Sequence, residues 1–316
     1  MAYKFGADES VRRGIIRCAR EQLDRAVSEL SEGIGTDPTR AIHDARKAIK
    51  KERSLLRLAG GAMTRGGRRR ENAVLREAAR GLSGARDAEV MIASIDQLSE
   101  RFAGQLPASA FESIRSYFEA RRLAELEDTG GSIVQTRALG ELAAARERVE
   151  RWELRNGGWK ALESGLERSY RRGCEAFADA RVSAEMVDLH AWRKRVKDLW
   201  YHERLLAPTC GPTVRGHAKD LDRLAELLGD DHDLALLRQE LTQTSPPVPA
   251  DLDAVVELID HRRTELQTEA AGIGERVYAE TPKAFRRRMR GSWKAGRALA
   301  RAPKAQHPAQ LAAATR

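Results

Sequence analysis

Two short segments of the sequence each place one histidine and three basic residues at the same spacing. The first reads Ile42-His43-Asp44-Ala45-Arg46-Lys47-Ala48-Ile49-Lys50, and the second reads Leu189-His190-Ala191-Trp192-Arg193-Lys194-Arg195-Val196-Lys197. Arg57 and Arg204 keep the same offset of 147 residues. Arginine offers a planar fork of donors to phosphate oxygens, lysine offers a mobile point charge, and histidine adds a donor near physiological pH. These residue types favour the binding of a phosphate-rich anion.

On a helix, the basic residues of each segment share one face. At 100° per residue, Arg46, Lys47, Lys50 and Arg57 fall within about 60° of His43, and the apolar positions lie on the flank that would meet the core. The second segment repeats these phases, with Tyr201 on its basic face. Like charges four residues apart repel by a few tenths of a kcal/mol, so a repeated basic face indicates an anionic ligand. Two such faces turned towards a common axis would form a basic groove or tunnel.

The elements that carry these faces are predicted to be helices throughout the chain. Ala, Leu, Arg and Glu are abundant, apolar residues recur every three or four positions, and no segment alternates with a period of two. Gly and Pro clusters mark the breaks between helices. The predicted helices span residues 8–32, 37–59, 67–81, 84–102, 107–127, 132–152, 159–181, 183–206, 213–228, 230–242, 249–272 and 281–298.

The composition excludes several classes of protein. The chain has 316 residues, 41% of them hydrophobic and 33% charged, with a net charge of +9. It has no 20-residue apolar run, so no membrane-spanning helix is expected, and its N-terminus lacks the apolar core of a secretory signal. Three distant cysteines, Cys18, Cys174 and Cys210, fit a reduced, cytoplasmic setting rather than a disulfide framework or a zinc site. The positive charge favours a polyanionic partner.

The repeated segments predict an internal duplication. Leu82-Ser-Gly-Ala-Arg-Asp87 and Leu228-Gly-Asp-Asp-His-Asp233 form a further pair, 146 residues apart, and Arg13 and Arg17 correspond loosely to Arg168 and Arg172. Together with Arg20, the first two arginines form a basic stripe on the opening helix. We therefore predict two similar helical bundles related by a pseudo-two-fold axis. Their bounds are 3–155 and 156–298, followed by a disordered tail at 299–316. Residues 230–233 are expected to cap the helix after a break at the second motif.

The repeated His-x-x-Arg-Lys-x-x-Lys helix resembles the CHAD family of α-helical domains with conserved histidines. The opening Tyr3–Arg13, the Leu82–Asp87 and Leu228–Asp233 motifs, and the basic segment Phe285–Arg290 also resemble the family, although Ser83 replaces a glycine and His232 stands where arginine is expected. Similarity extends over residues 3–298. Many relatives carry a CYTH domain before the helical one. Because the helical pattern opens the chain, we expect a CHAD domain without a CYTH domain.

The resemblance implies an all-α fold of two four-helix-type bundles around a central basic groove or pore. It implies noncovalent binding of inorganic polyphosphate, association with polyphosphate granules and their proteins in the cytoplasm, and no catalysis, cofactor, metal or membrane partner. Carried onto this sequence, the predicted binding residues are Arg13, Arg17, Arg20, His43, Arg46, Lys47, Lys50, Arg53, Arg57, Arg168, Arg172, His190, Arg193, Lys194, Lys197, Tyr201 and Arg204.

Two other hypotheses remain open. A generic polyanion-binding or nucleic-acid-binding protein would also use a basic face, but base stacking requires aromatic residues, and only Tyr201 lies on that face. A metal-binding or phosphohistidine protein would use the histidines and the acidic run at 230–233. Against it, lysines and arginines flank the histidines and repel a divalent cation, and no known metal or nucleotide motif is present.

Overall fold

The computed structural model describes residues 3–6, 8–82, 87–128, 132–243 and 252–301, and these fold into α-helices with no β-strand among them. The predicted all-α class is confirmed. Eleven α-helices span the described residues: α1 (Val11–Ser31), α2 (Pro38–Leu58), α3 (Arg65–Gly81), α4 (Asp87–Arg101), α5 (Ala108–Asp128), α6 (Ser132–Val149), α7 (Glu163–Ser183), α8 (Met186–Cys210), α9 (Pro212–Gln243), α10 (Leu252–Val277) and α11 (Pro282–Arg301).

Helix α2 forms where capping and amphipathic patterning agree. The Asp37 side chain accepts a hydrogen bond from the backbone N–H of Arg40, and Pro38 occupies the first turn, where its missing N–H costs nothing. Its apolar positions are buried along one stripe, and its basic residues lie between them. The helix ends before the glycines of a 3-10 turn, Ala59–Gly61.

Helix α9 corrects one sequence-based expectation. Residues 213–228 and 230–242 were expected to form two helices, but one helix of 32 residues runs through Gly229 without interruption. The buried leucines continue on both sides of the glycine, and the Arg193 guanidinium occupies the space beside it, 2.9 Å from where a Cβ would lie. Residues 230–233 are therefore helix interior, and the prediction that they form an N-cap is wrong. The related motif at 83–86 lies outside the described residues.

The helices pack around a continuous apolar core. In the first part of the chain, α1 packs on α2 and α6, α3 packs on α6, and α4 packs on α5; in the second, α8 packs on α7, α9 and α11, and α10 packs on α9. The two parts meet where α2 contacts α7 and α8, and where α4 contacts α9. The predicted boundary near residue 155, the two bundles, their duplication and the disordered tail stay predictions.

A buried ion pair fixes α8 against its neighbours. Nδ1 of His217 on α9 lies 2.8 Å from a carboxylate oxygen of Glu203 on α8, and its Nε2 donates to the carbonyl of Val277 on α10. Burial opposes the charge on the imidazole, but the hydrogen bond and attraction from Glu203 outweigh it and raise the pKa of His217. The two contacts of His217 therefore link α8, α9 and α10, and the positive charge of the imidazole is balanced by the Glu203 carboxylate.

Helix α2 is crossed closely by α7 and α8 near its C-terminal end. Ser54 Oγ donates to the carbonyl of Asp198, and His202 Nε2 donates to the carbonyl of Ser54 over 2.9 Å. On α7, Gly165 lies directly against the backbone of α2. A Cβ at this position would come within 2.2 Å of the Leu58 carbonyl oxygen, so only glycine allows the observed approach.

This contact predicts that Gly165→Ala destabilises the protein. The added methyl group overlaps backbone atoms that cannot rotate away, so we expect the free energy of unfolding to fall by about 1–3 kcal/mol in urea titrations. Gly140→Ala is the control, because Gly140 is exposed within α6 and has open space around it. That substitution should raise stability by about 0.5–1 kcal/mol. Equal stability of Gly165→Ala and the parent protein would contradict the close approach.

Candidate anion-binding site

Seven arginines line a cavity of about 570 Å³ between α2, α3, α7 and α8. We call it the arginine cavity. Its floor and rim also include Gly60, Met63, Gly165, Ser169 and Asp198. The arginines come from both parts of the chain: Arg57 on α2, Arg65, Arg68 and Arg69 on α3, Arg168 and Arg172 on α7, and Arg195 on α8.

The N-terminal end of α3 supplies three of these arginines. Thr64 caps the helix, its hydroxyl oxygen accepting a hydrogen bond from the backbone N–H of Gly67. The N-terminal turn of a helix carries unsatisfied N–H groups and the positive end of the helix dipole. The arginine charges at this end of the helix therefore add to a positive backbone field.

Helix α7 brings two more arginines to the opposite wall. Arg168 and Arg172 are four residues apart, so they share the face of α7 that begins at Gly165. Gly60 leaves space between the two walls: a Cβ there would lie 3.6 Å from Arg168 Nη1 and 4.0 Å from Arg68 Nε. The close crossing of α7 over α2 is what brings guanidinium groups from α3 and α7 together.

Five arginines of the cavity have no carboxylate partner within the described part of the chain. Within the described residues, no ion pair joins Arg65, Arg68, Arg69, Arg168 or Arg172 to an acidic side chain. The pKa of Arg68 is lowered by burial first and then by repulsion from the other four, Arg168, Arg69, Arg65 and Arg172. Arginine stays charged at neutral pH despite such a shift. The cavity therefore concentrates positive charge that an anion would neutralise.

Asp198 is the acidic residue in the lining. Its carboxylate lies 3.0 Å from Arg57 Nη1 and 3.3 Å from Arg195 Nη1, and its side chain is 13% exposed. The two remaining arginines of the cavity thus share one internal counter-ion. An entering phosphate would compete with this carboxylate for them.

Three of the predicted binding residues line the cavity: Arg57, Arg168 and Arg172. Four of its arginines were missed by the sequence analysis: Arg65, Arg68, Arg69 and Arg195. The first three belong to the run Arg65-Gly-Gly-Arg-Arg-Arg70, which follows a Gly-Gly break and opens a helix. A basic run at a helix N-terminus was the signal available for them.

Two of the three predicted arginines of α1 have internal partners. Arg17 pairs with Glu9 at 2.7 Å and with Glu21 at 3.1 Å, and Arg20 pairs with Glu150 at 3.1 Å. Arg13 is exposed. None of the three lines the arginine cavity.

The residues of the predicted basic face of α2 do not share one environment. Arg46 donates to the carbonyl of Leu82 over 2.7 Å, at the C-terminal end of α3, and Arg53 donates to Asn72 over 3.1 Å. Lys47 and Lys50 are exposed, and His43 is partly buried. Apart from Arg57, these residues lie outside the arginine cavity.

His190 stacks on His232 of α9, with ring centroids 4.1 Å apart. Burial lowers the pKa of each imidazole to about 4. Repulsion adds to this effect, from His232 first in the case of His190 and from Arg193 first in the case of His232. Both rings are therefore neutral at pH 7. Arg193 and Lys194 lie beside this pair on α8, and Arg193 fills the space next to Gly229.

Tyr201, which is predicted to bind the ligand from the basic face of α8, is buried. Tyr201 is only 4% exposed, because its ring packs edge-on against Tyr3 with centroids 6.0 Å apart. Lys197 and Arg204 lie over the ring of Trp200, at 4.0 and 4.6 Å from its centroid. Burial lowers the pKa of Lys197 to about 8. The seventeen predicted residues thus do not form one cavity.

The described residues contain no group of three or more His, Cys, Asp or Glu side chains arranged to hold a metal ion. A second cavity of about 580 Å³, between α4, α9 and α10, is lined by Glu100, Asp230 and Asp233 as well as Arg101 and Arg262. It lacks the excess of positive charge found in the arginine cavity. None of the described helices combines the length and apolar composition that a bilayer-spanning segment requires.

Comparison with known proteins supports one family. Curated protein sequences give no match. The family model of the CHAD domain matches residues 17–242 of the 316-residue chain, a span that includes all seven arginines of the cavity. On the strength of that match over most of its length, the chain belongs to the CHAD domain family.

Proposed function

We propose that this protein binds inorganic polyphosphate noncovalently in the arginine cavity. The observation that carries the proposal is a group of five arginines around one cavity of about 570 Å³, none of them paired with a carboxylate of the described residues. Membership of the CHAD domain family is consistent with this ligand. Polyphosphate is a linear chain of anionic groups, so it can present several charges to one compact cluster.

The arginine side chains provide both affinity and orientation. Each guanidinium can donate two parallel hydrogen bonds to phosphate oxygens, and such charge-assisted bonds are stronger than neutral ones. Neutralising successive phosphates releases condensed counterions, so affinity falls with salt, with a log–log slope of about −0.7 per phosphate for a single-stranded polyanion. Repulsion among the arginines is relieved when the phosphates enter. Binding should also strengthen with polymer length until the cavity is filled.

The lining favours polyphosphate over nucleic acid. Proteins that hold single-stranded nucleic acid stack bases on aromatic side chains. Among the residues that line the arginine cavity, Met63 is the largest apolar one and none is aromatic. The cavity therefore offers many contacts to phosphate groups and no aromatic platform for a base.

The proposed role is binding without catalysis. The carboxylate in the lining, Asp198, is held by two arginines. Those two ion pairs engage the carboxylate within the protein, which leaves it poorly placed to take a proton from a substrate. Location in the cytoplasm and association with polyphosphate granules belong to the same proposal and follow from the ligand.

Reversing two charges in the cavity should abolish tight binding. In Arg68→Glu/Arg168→Glu, two contacts to charged groups are lost and repulsion is added, so we expect affinity for long-chain polyphosphate to fall roughly 100-fold or more in about 0.15 M salt. Isothermal titration calorimetry measures the affinity, and circular dichroism verifies the fold.

Arg287→Glu/Arg290→Glu is the matched control, because it changes the net charge equally at exposed positions of α11. Its affinity should stay within a few-fold of the parent value. Single-stranded DNA and RNA are added as competitors at equal phosphate concentration. Equal affinities of the two double variants, or displacement of polyphosphate by nucleic acid, would indicate a generic polyanion surface.

Removing the internal counter-ion should strengthen binding. Asp198→Asn keeps the shape of the side chain and releases Arg57 and Arg195 to a phosphate, so affinity should rise about 10-fold, the worth of one charge-assisted contact. The salt dependence should steepen by about 0.7 per additional phosphate neutralised. Asp179→Asn, an exposed position of α7, gives the same charge change outside the cavity. Weaker binding by Asp198→Asn would show instead that Asp198 positions the arginines.

A further inference from the structure

We infer that a second phosphate-binding site surrounds Lys51, separate from the arginine cavity, and that it holds a short phosphate anion. The inference takes its ligand class from the proposed function. It concerns different residues, so the two can fail independently.

A cavity of about 640 Å³ forms where the N-terminal segment meets α1, α2, α8 and α9. Each of these elements contributes at least one cation, and the acidic residue of the lining is Asp222. The cations are Lys4, Arg25, Lys51, Arg204, Arg215 and Lys219. Positive charge from five separate parts of the chain therefore converges on one space.

Lys51 is the buried cation of this cavity. It is only 8% exposed, and within the described part of the chain no carboxylate lies at ion-pairing distance from it. Its ammonium lies 5.7 Å from the centroid of the Tyr3 ring. The Tyr3 ring gives the ammonium a cation–π contact. A cation on a largely buried side chain is still costly when no carboxylate pairs with it, so lysine at this position requires an explanation that a solvated surface lysine does not.

The nearby carboxylates do not supply the missing charge. Asp44 is engaged by Arg25 at 2.8 Å. Glu52, the next residue in α2, is fully buried with neither carboxyl oxygen hydrogen-bonded, and burial raises its pKa to about 8. It is therefore largely protonated at pH 7. Burial, and then repulsion from Arg204, Arg25 and Lys47, lowers the pKa of Lys51 to about 8. A bound phosphate would reverse this shift.

The walls of the cavity are fixed by the fold. Tyr3 Oη donates to the carbonyl of Lys51 over 2.9 Å, and the backbone N–H of Phe5 donates to the carbonyl of Leu205. These bonds hold the N-terminal segment, with Lys4 between them, against α2 and α8. Arg204 lies over the ring of Trp200. The cations therefore lie on packed elements, and apart from Lys51 their side chains are exposed.

The Lys51 cavity and the arginine cavity share no lining residue. On α2, Lys51 and Arg57 lie three residues to either side of Ser54. Ser54 is completely buried in its contact with His202 of α8. The crossing of α2 and α8 therefore separates the two cavities. A ligand can occupy one without the other.

Titration calorimetry with tripolyphosphate at pH 7 tests the inference. The parent protein should bind two molecules per chain. Lys51→Met retains the buried apolar stem but removes the charge, and it should bind one; Arg68→Glu/Arg168→Glu should also bind one, through the Lys51 cavity. Lys283→Met, at an exposed position of α11, should still bind two. Thermal melting verifies that each variant is folded.

Proton uptake provides a readout that a structural effect of Lys51→Met would not mimic. Lys51 is partly deprotonated at pH 8 in the free protein and fully protonated beside a phosphate, so binding should take up about half a proton. Calorimetry in buffers of different ionisation enthalpy measures this proton uptake, and Lys51→Met should show none.

Other titratable and charged groups face Lys51 from every element around the cavity. They are Tyr3, whose pKa is well above its usual value, Lys4, Arg25, Asp44, Lys47, Arg204, Arg215, Lys219 and Asp222.

The outcomes separate the two ideas. A single site that Lys51→Met leaves intact and the arginine double variant abolishes overturns the Lys51 site and supports the proposed function. A single site lost only in Lys51→Met supports the Lys51 site and overturns the proposed function of the arginine cavity. A single site lost in both variants shows one continuous binding surface and overturns the proposal of two separate sites. Absence of binding by the folded parent protein overturns both.

Discussion

The arginine cavity depends on one backbone contact, the crossing of α7 over the C-terminal end of α2. Gly165 lies where any larger residue would overlap the Leu58 carbonyl oxygen. One and two turns further along α7, the same approach brings Arg168 and Arg172 towards the arginines of α3. The buried apolar side chains around the crossing, including Leu58, Leu162 and Leu166, supply the free energy that holds these like charges together.

Pairing distinguishes the structural arginines from those that face the cavity. Arg148 contacts the buried Glu71 at 3.0 Å, and Arg263 contacts the buried Asp231 at 3.1 Å. Such pairs satisfy a buried carboxylate and tie helices together. Five arginines of the cavity have no such partner among the described residues, although the chain holds 47 acidic residues. Their charge is therefore left for a ligand, and Asp198 balances only part of the remainder.

Burial controls the charge of the polar groups around α2 and α8. The neutral His190–His232 pair, the protonated carboxyl of Glu52 and the weakened basicity of Lys51 all arise from removal of water. His217 shows the opposite result, because Glu203 holds its proton. Charge at neutral pH thus follows from the packing of each group and not from its residue type. The stacked rings of His190 and His232 are uncharged, whereas arginines supply the positive field.

The sequence by itself determined the helical class, most helix positions and the basic character of α2 and α8, because apolar periodicity, capping residues and Gly-Pro breaks act over a few residues. The family followed from the two repeated motifs. Only tertiary structure decided which cations share a cavity: Arg65, Arg68, Arg69 and Arg195 join Arg57, Arg168 and Arg172, while Tyr201 is buried. It also carried α9 through Gly229, where Arg193 fills the space of a missing side chain. A helix face can be calculated from residue spacing, but its partner depends on how distant helices cross.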